Sequence, residues 1–328
     1  MILFIKVKNL INLIFLYINT LKYMKISQVI YRIYYRLKTS KDLSYKEVPQ
    51  KRISNKYLKI GIFKDDTYNP DINFFVFLNK KKYNTQPIDW IPKDMTRLWV
   101  YNLHYFDFIN SKELSSRQMD VEYIIDSWID NNNILKGPGW EPYPVSLRIV
   151  NWIKFFINYK FEKDKYIESL YLQLRHLSKN IEYHIMGNHV IANAKALIFG
   201  GIFFDDSKSN NYRSLGENIF TKQINEQILE DGAHFELSPM YHQVILEDII
   251  DELLQKHLKP TFFWSGFVLR GKMRLYNLLK GATLFVAKTL AMIHQLIFGE
   301  KVPYDFFSEY MIKNQSGVNS EENPKLKK

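Results

Sequence analysis

The chain of 328 residues contains no cysteine. That excludes disulfides, thiolate metal sites and a cysteine nucleophile, and it leaves the redox compartment open. Alternation of apolar and polar residues almost vanishes after residue 95, so strands are not expected in the larger part of the chain. No uninterrupted apolar run is long enough to cross a membrane, which takes ~20 residues. The run from Leu10 to Leu21 is broken by Asn12, Asn19 and Thr20. No small-x-small cleavage site follows it, so a cleaved signal peptide is not expected. It is read as a helix, either buried or lying on a membrane surface, with an uncleaved anchor as the alternative. Also missing is a compact mid-chain run of Lys and Arg interleaved with aromatics, which argues against a nucleic-acid partner.

What is present is apolar, aromatic and basic. Hydrophobic residues make up 46% of the chain and aromatics 16%, with 22 Tyr, 23 Phe and 6 Trp. Such a chain can bury a substantial core, and its rings can also stack on sugars. The formal net charge of +11 favours acidic partners: polyanionic glycans, anionic lipid surfaces or, as the weakest candidate, nucleic acid.

Along the chain, residues 25–40 repeat Ile26, Val29, Ile30, Ile33 and Leu37 at helical spacing. Arg32 and Arg36 share a solvated face. Residues 41–95 carry Pro49, Pro70, Pro87 and Pro92 among charges and turn formers. They read as an extended linker with short strands near Leu58–Phe63 and Phe74–Leu78. The run from Trp99 to Asp107 packs aromatics with Asn102 and His104. It either lines a groove or forms a packed arm with satisfied polar tips. Helices follow over 118–131, from Pro144 onward, and over 165–185 with His184 at the end. The domain expectation is N-terminal helices over 1–40, a linker over 41–95, an all-α domain of antiparallel helix pairs over 96–300, and a polar tail over 301–328.

Two helix starts concentrate the polar chemistry. Gly187-Asn188-His189 opens an apolar helix, with Asn188 the expected N-cap. Asn193, four residues after His189, projects from the same face. Ser214–Glu217 reads as a capping box for the next helix, which stops at Asp231-Gly232. Ser238-Pro239 then sets an N-cap with Pro at the first helical position, placing Tyr241 and His242 in the first turn. Glu247, Asp248, Asp251 and Glu252 read as a solvated acidic face. Five of the eight histidines lie between 176 and 242, yet no HExxH or His-x-His spacing appears. No metal or other cofactor is expected.

These stretches carry a family resemblance. GNHVIANAKALIFGGIFF and LEDGAHFELSPMYHQVILED resemble the helical domain of the heparinase II/III family of polysaccharide lyases. LWVYNLHYFDF and WEPYPVSLRIVNW resemble its upstream segments. The resemblance runs from about residue 96 to 254 and points toward bacterial members found with capsule or exopolysaccharide genes. It implies an incomplete (α/α) toroid with a groove for an acidic polysaccharide, glycosaminoglycan or alginate-like, cleaved by β-elimination. It further implies that the two helix starts face one another across that groove. Asn188 and His189 match the family's carboxylate-neutralising pair. Tyr241 matches its proton-transfer tyrosine. A phenol titrates near ~10 unperturbed, so its use as a base calls for nearby positive charge, which Arg148, His234 or His242 could supply.

Trp140, Tyr143, Asn193 and Arg148 are the expected substrate-binding residues on the first side. His104, His234, Glu236 and His242 complete the set. Family members continue into an antiparallel β-sandwich that adds another histidine, whereas residues from about Gln255 onward do not resemble it. The expectation is therefore a truncated or frame-shifted product whose activity alone is in doubt, with periplasm or cell envelope as the compartment implied by resemblance. The alternatives are a non-catalytic glycan-binding or assembly protein of surface polysaccharide production, and a hydrolase built on Glu141 and Glu236.

Overall fold

A computed structural model describes residues 24–38, 66–161, 163–229 and 232–256, with scattered positions between 12 and 22. The expected strand at 58–63 and the tail at 301–328 lie outside the described residues. The chain divides into two units, Met1–Phe220 and Thr221–Lys328.

In the first unit, α1 (Ile26–Leu37) forms as its apolar spacing predicts. Gln28 Oε1 accepts from the Lys25 backbone N–H at 2.9 Å, fixing its start. The expected linker holds a three-stranded antiparallel sheet of β1 (Tyr68–Asn69), β2 (Phe74–Phe77) and β3 (Lys80–Tyr83), in that order. Leu78, expected as strand, is instead in the β2–β3 turn. Leu78 and Asn79 both take positive φ, 53° and 59°, as a two-residue hairpin of matching twist requires. Alternation then turns Phe75 and Phe77 inward against Phe108 and Trp99.

The segment rich in aromatics is a regular helix after all, α2 (Arg97–Tyr105). Thr96 caps it by accepting from the Trp99 N–H at 3.3 Å. It ends where Phe106 turns left-handed, φ 63°, a conformation that costs a non-glycine about 1 kcal/mol or more. Burial among Trp90, Phe108, Trp128 and Trp152 offsets that cost.

α3 (Gln118–Asn131), α4 (Pro142–Tyr159), α5 (Asp164–Lys179), α6 (Gly187–Phe203) and α7 (Ser207–Gln227) follow. Side-chain pairings give their directions. Phe156 meets Tyr166 and Arg148 meets Gln173, so α4 and α5 are antiparallel. Tyr171 meets Phe204 and Leu174 abuts Gly200, so α5 and α6 are antiparallel as well. Ser146 bonds Asn193 while Lys154 lies over Phe199, so α4 and α6 run parallel. A Cβ on Gly200 would stand 2.5 Å from Leu174, and one on Gly216 would stand 2.7 Å from the Ala194 carbonyl oxygen. Glycine is what lets α5 and α7 approach α6 this closely. This is the all-α architecture of antiparallel helix pairs.

Several boundaries differ from expectation, each for a local reason. α5 stops at Lys179 because the Asn180 side chain donates to the His176 carbonyl at 2.7 Å, so His184 sits in the following turn. α7 starts upstream of Ser214–Glu217, where Asp206 Oδ1 accepts the Ser209 N–H at 2.6 Å. α4 is buried on nearly every side. Arg148, Asn151 and Trp152 are more deeply buried than Leu147.

The second unit contains the end of α7, a bridge pairing Ile228 with His234, and α8 (Pro239–Lys256). Pro239 opens α8 as expected, with the His242 N–H bonded to the Ser238 carbonyl at 2.9 Å. Asp248 and Asp251 are buried rather than solvated. Asp248 stands three residues after the buried Ile245, on its side of the helix. The side chain of Glu252 lies outside the described residues. Among the described residues no helix is long and apolar enough to cross a membrane.

Candidate functional site

The start of α6 gathers a polar cluster within the first unit. Met186, not Asn188, precedes the helix, with φ 68°, and Gly187 follows at φ 58°. Asn188 and His189 therefore occupy the second and third helical positions. There the backbone N–H groups have no partner within the helix, and the dipole favours an anion. Both side chains are partly exposed. Asn188 Nδ2 donates to the Tyr143 hydroxyl at 3.3 Å, which leaves a second amide N–H to offer a ligand. The Tyr143 ring lies on His189, centroids 4.3 Å apart and tilted 35°. His189 Nδ1 is buried 3.2 Å from Glu182 Oε2, a close charge contact without hydrogen-bond alignment. Nε2 is thus the nitrogen His189 can present outward.

Behind this pair, Asn193 ties the preceding loop to the helices. It accepts the Glu182 N–H at 2.8 Å and donates to Ser146 Oγ at 2.9 Å and Glu182 Oε2 at 3.3 Å. Asn193, expected to bind substrate, is fully buried, and its bonds hold the preceding loop against α4. Tyr105 meets Tyr143 edge to face at 5.8 Å, and burial raises its phenol pKa above the ordinary value. Neither Glu182 nor Tyr105 stood among the residues expected from sequence. A lone acidic residue in the apolar Ile181–Met186 link was the one available signal for Glu182.

Arg148 and His104 form a separate, fully buried knot. Every guanidinium nitrogen of Arg148 makes a hydrogen bond: Nε donates to Gln173 Oε1 at 2.8 Å, one terminal nitrogen to the His104 carbonyl at 3.1 Å, the other to the Gly139 carbonyl at 2.7 Å. The group also lies 3.9 Å over the Trp128 ring. His104 Nδ1 accepts from Trp128 Nε1 at 3.0 Å. Burial, with the Arg148 charge adding to it, lowers the His104 pKa to about 3, so its ring is neutral. Both residues, expected at the substrate, are fully buried. The helix explains the switch: one residue rotates by about 100°, so Tyr105 turns to the Tyr143 cluster while His104 turns inward.

Trp140 is buried, and its carbonyl accepts from His176 Nε2 at 2.8 Å. It lines a cavity of about 1230 Å³ together with Tyr31, Tyr35, Lys38, Tyr183 and His184. Glu141 is already engaged, by Arg97 at 2.6 Å and by the Tyr101 hydroxyl.

In the second unit, His234 is buried, and its Nε2 donates to Gln227 Oε1 at 3.0 Å, since the Gln227 amide nitrogen already donates to Gln223. Burial, then the nearby His242, lowers the His234 pKa to about 4. A value that low favours the neutral ring near pH 7. Its ring stands 6.5 Å from that of Tyr241. Tyr241 and His242 are partly exposed, and Glu236 is exposed. Among the described residues no group of three His, Asp or Glu is placed to hold a metal ion.

The profile described as Heparinase II/III N-terminus matches residues 23–259. The chain is 25% identical over 252 residues to a heparin-sulfate lyase of Bacteroides stercoris, covering 64% of this chain and 36% of that protein. It is 28% identical over 159 residues to a heparin-sulfate lyase of Pedobacter heparinus, covering 46% of this chain and 21% of that one. It thus spans well under half the length of these curated relatives. Among solved structures, a mutant heparan sulfate lyase from Pedobacter heparinus superposes with a TM-score of 0.50 at 17% identity, over 73% of this chain and 44% of that chain. That likeness concerns the fold alone.

Proposed function

The chain belongs to the heparinase II/III family, and from that premise we propose that it acts on a uronate-containing acidic glycan by β-elimination. The relatives are named heparin-sulfate lyases, which favours a glycosaminoglycan over an alginate-like polymer. The observation that carries the reading is the Asn188–His189 pair held over Tyr143 at the start of α6.

The uronate C5 proton is weakly acidic, and the adjacent carboxylate opposes carbanion formation. Donors aimed at that carboxylate stabilise the developing enolate more than the ground state. Asn188 supplies its second amide N–H. His189 presents Nε2 as a donor, with Glu182 close behind Nδ1. Tyr241 carries the proton to the leaving O4 and, in syn geometry, first removes the C5 proton. With His234 neutral and Arg148 enclosed, His242 is the remaining candidate to favour the phenolate. Arg148, His104 and Asn193 support the helices.

The test is incubation of the protein with uronate polysaccharides, read as far-ultraviolet absorbance of the C4–C5 unsaturated product. Absorbance that disappears in Tyr241→Phe and Asn188→Ala supports elimination. New reducing ends without unsaturation would sink it in favour of hydrolysis, a reading already opposed by the engagement of Glu141. Glycan binding with no product would instead support the non-catalytic reading.

A further inference from the structure

α1 presents two opposite faces. Gln28, Tyr31, Tyr35 and Lys38 dock it onto the loop after α5. Gln28 Nε2 donates to the Ile185 carbonyl at 3.3 Å, Tyr35 to the Ile181 carbonyl at 2.5 Å, and Lys38 to Asn180 Oδ1 at 3.2 Å. The Tyr31 and Tyr183 rings are 4.7 Å apart. At about 100° per residue, the opposite face carries Ile26, Ile30, Ile33 and Leu37, spaced four, three and four residues apart. These remain 79%, 59%, 55% and 76% exposed, an unbroken aliphatic stripe turned to solvent. Lys25, Arg32 and Arg36 lie along one edge of the stripe and Tyr34 along the other, all exposed.

The preceding residues continue the theme. Leu13, Phe15, Leu16 and Tyr17 are 47–64% exposed. Residues 1–41 contain Lys6, Lys8, Lys22, Lys25, Arg32, Arg36, Lys38 and Lys41, and the first acidic residue is Asp42.

We propose that α1, with the apolar residues before it, lies in the surface of an anionic lipid bilayer, its Ile26–Ile30–Ile33–Leu37 stripe among the acyl chains and its basic edge at the headgroups. An aliphatic centre, an aromatic edge and a purely basic charge set are what an interfacial helix requires. The known alternatives fit less well. An acidic glycan matches the charge but offers no apolar layer for four aliphatic side chains. A second copy packed antiparallel about a two-fold would set two basic edges against each other. This inference does not depend on the lyase reading, since none of its residues belongs to the glycan cluster.

The experiment is co-sedimentation of the full chain with vesicles of phosphatidylcholine, with and without phosphatidylglycerol. Binding is expected on the anionic vesicles and is weakened by salt. Ile30→Glu with Ile33→Glu abolishes it. Arg32→Gln with Arg36→Gln weakens it by about tenfold or more, on the scale of roughly fivefold per basic residue near an anionic surface. All four side chains face solvent, so the circular dichroism spectrum and Tm stay unchanged. Absence of sedimentation, or sedimentation indifferent to the Glu pair, overturns the proposal. So does a solution dimer that the Glu pair dissociates without any vesicle binding, which would make the stripe a contact between copies.

Discussion

Two polar clusters lie within the first unit, one around Arg148 and one around Asn188, and they are built on opposite principles. Around Arg148, three guanidinium nitrogens each find an acceptor and the Trp128 indole donates to the His104 ring, all in full burial. Around Asn188, one amide hydrogen goes to Tyr143 while the pair itself stays partly exposed at a helix start. A polar cluster enclosed in the core holds structure. One at a partly exposed helix start is open to a ligand.

The comparison is most directly broken at Arg148. Arg148→Ala strands three acceptors in the core, each worth about 1–3 kcal/mol, so urea denaturation should show a loss of about 3–5 kcal/mol. A loss below about 1 kcal/mol would mean the knot is not what holds α4, α5 and α2 together. Asn188→Ala or His189→Ala should do the reverse: product formation falls about 10²–10³-fold, while Tm stays within a few degrees. If stability collapses instead, the α6 start is a strut like Arg148.

The histidines sharpen the contrast through pH. Burial, first among the causes, holds His104 to about 3 and both His176 and His234 to about 4, against an ordinary 6.5. A folded-state value below the unfolded one contributes stability that is full above pH 6.5 and is lost as pH falls toward 4. Each such ring costs about 1.4 kcal/mol per pH unit through that window. Thermal unfolding should therefore weaken steadily from pH 6.5 to 4.5, and a flat Tm across that range would show that these rings are not enclosed as neutral groups.

Smaller effects probe the packing beside each cluster. Gly139→Ala places a Cβ 2.7 Å from His104 Nδ1 and should destabilise by about 1–3 kcal/mol, with activity per folded molecule unchanged. Tyr143→Phe removes only the hydroxyl that accepts from Asn188, while the ring on His189 remains. Product formation should fall by less than about tenfold, with no change in the unfolding midpoint.

Much of this was legible along the chain, wherever the signal was local. Pro239 marked the start of α8, and the spacing of Ile26, Ile30, Ile33 and Leu37 marked α1. Asn188 and His189 are adjacent, so their joint presentation needed only a helix beginning nearby. The start of α7 was misplaced because Asp206 caps the chain before the Ser214 pattern is reached. Asp248 and Asp251 looked solvated by composition, yet packing turned them inward.

The sequence by itself determined the helical class, the polar pair at the α6 start and the two-faced character of α1. Backbone sterics, capping and side-chain periodicity act over a few residues, so they can be read in order. Only the tertiary structure decided which polar groups are spent and which remain available. Arg148 finds its acceptors 9, 25 and 44 positions away, and His189 finds Glu182 across a loop. Burial and pairing depend on remote segments meeting, and residue type alone does not contain them.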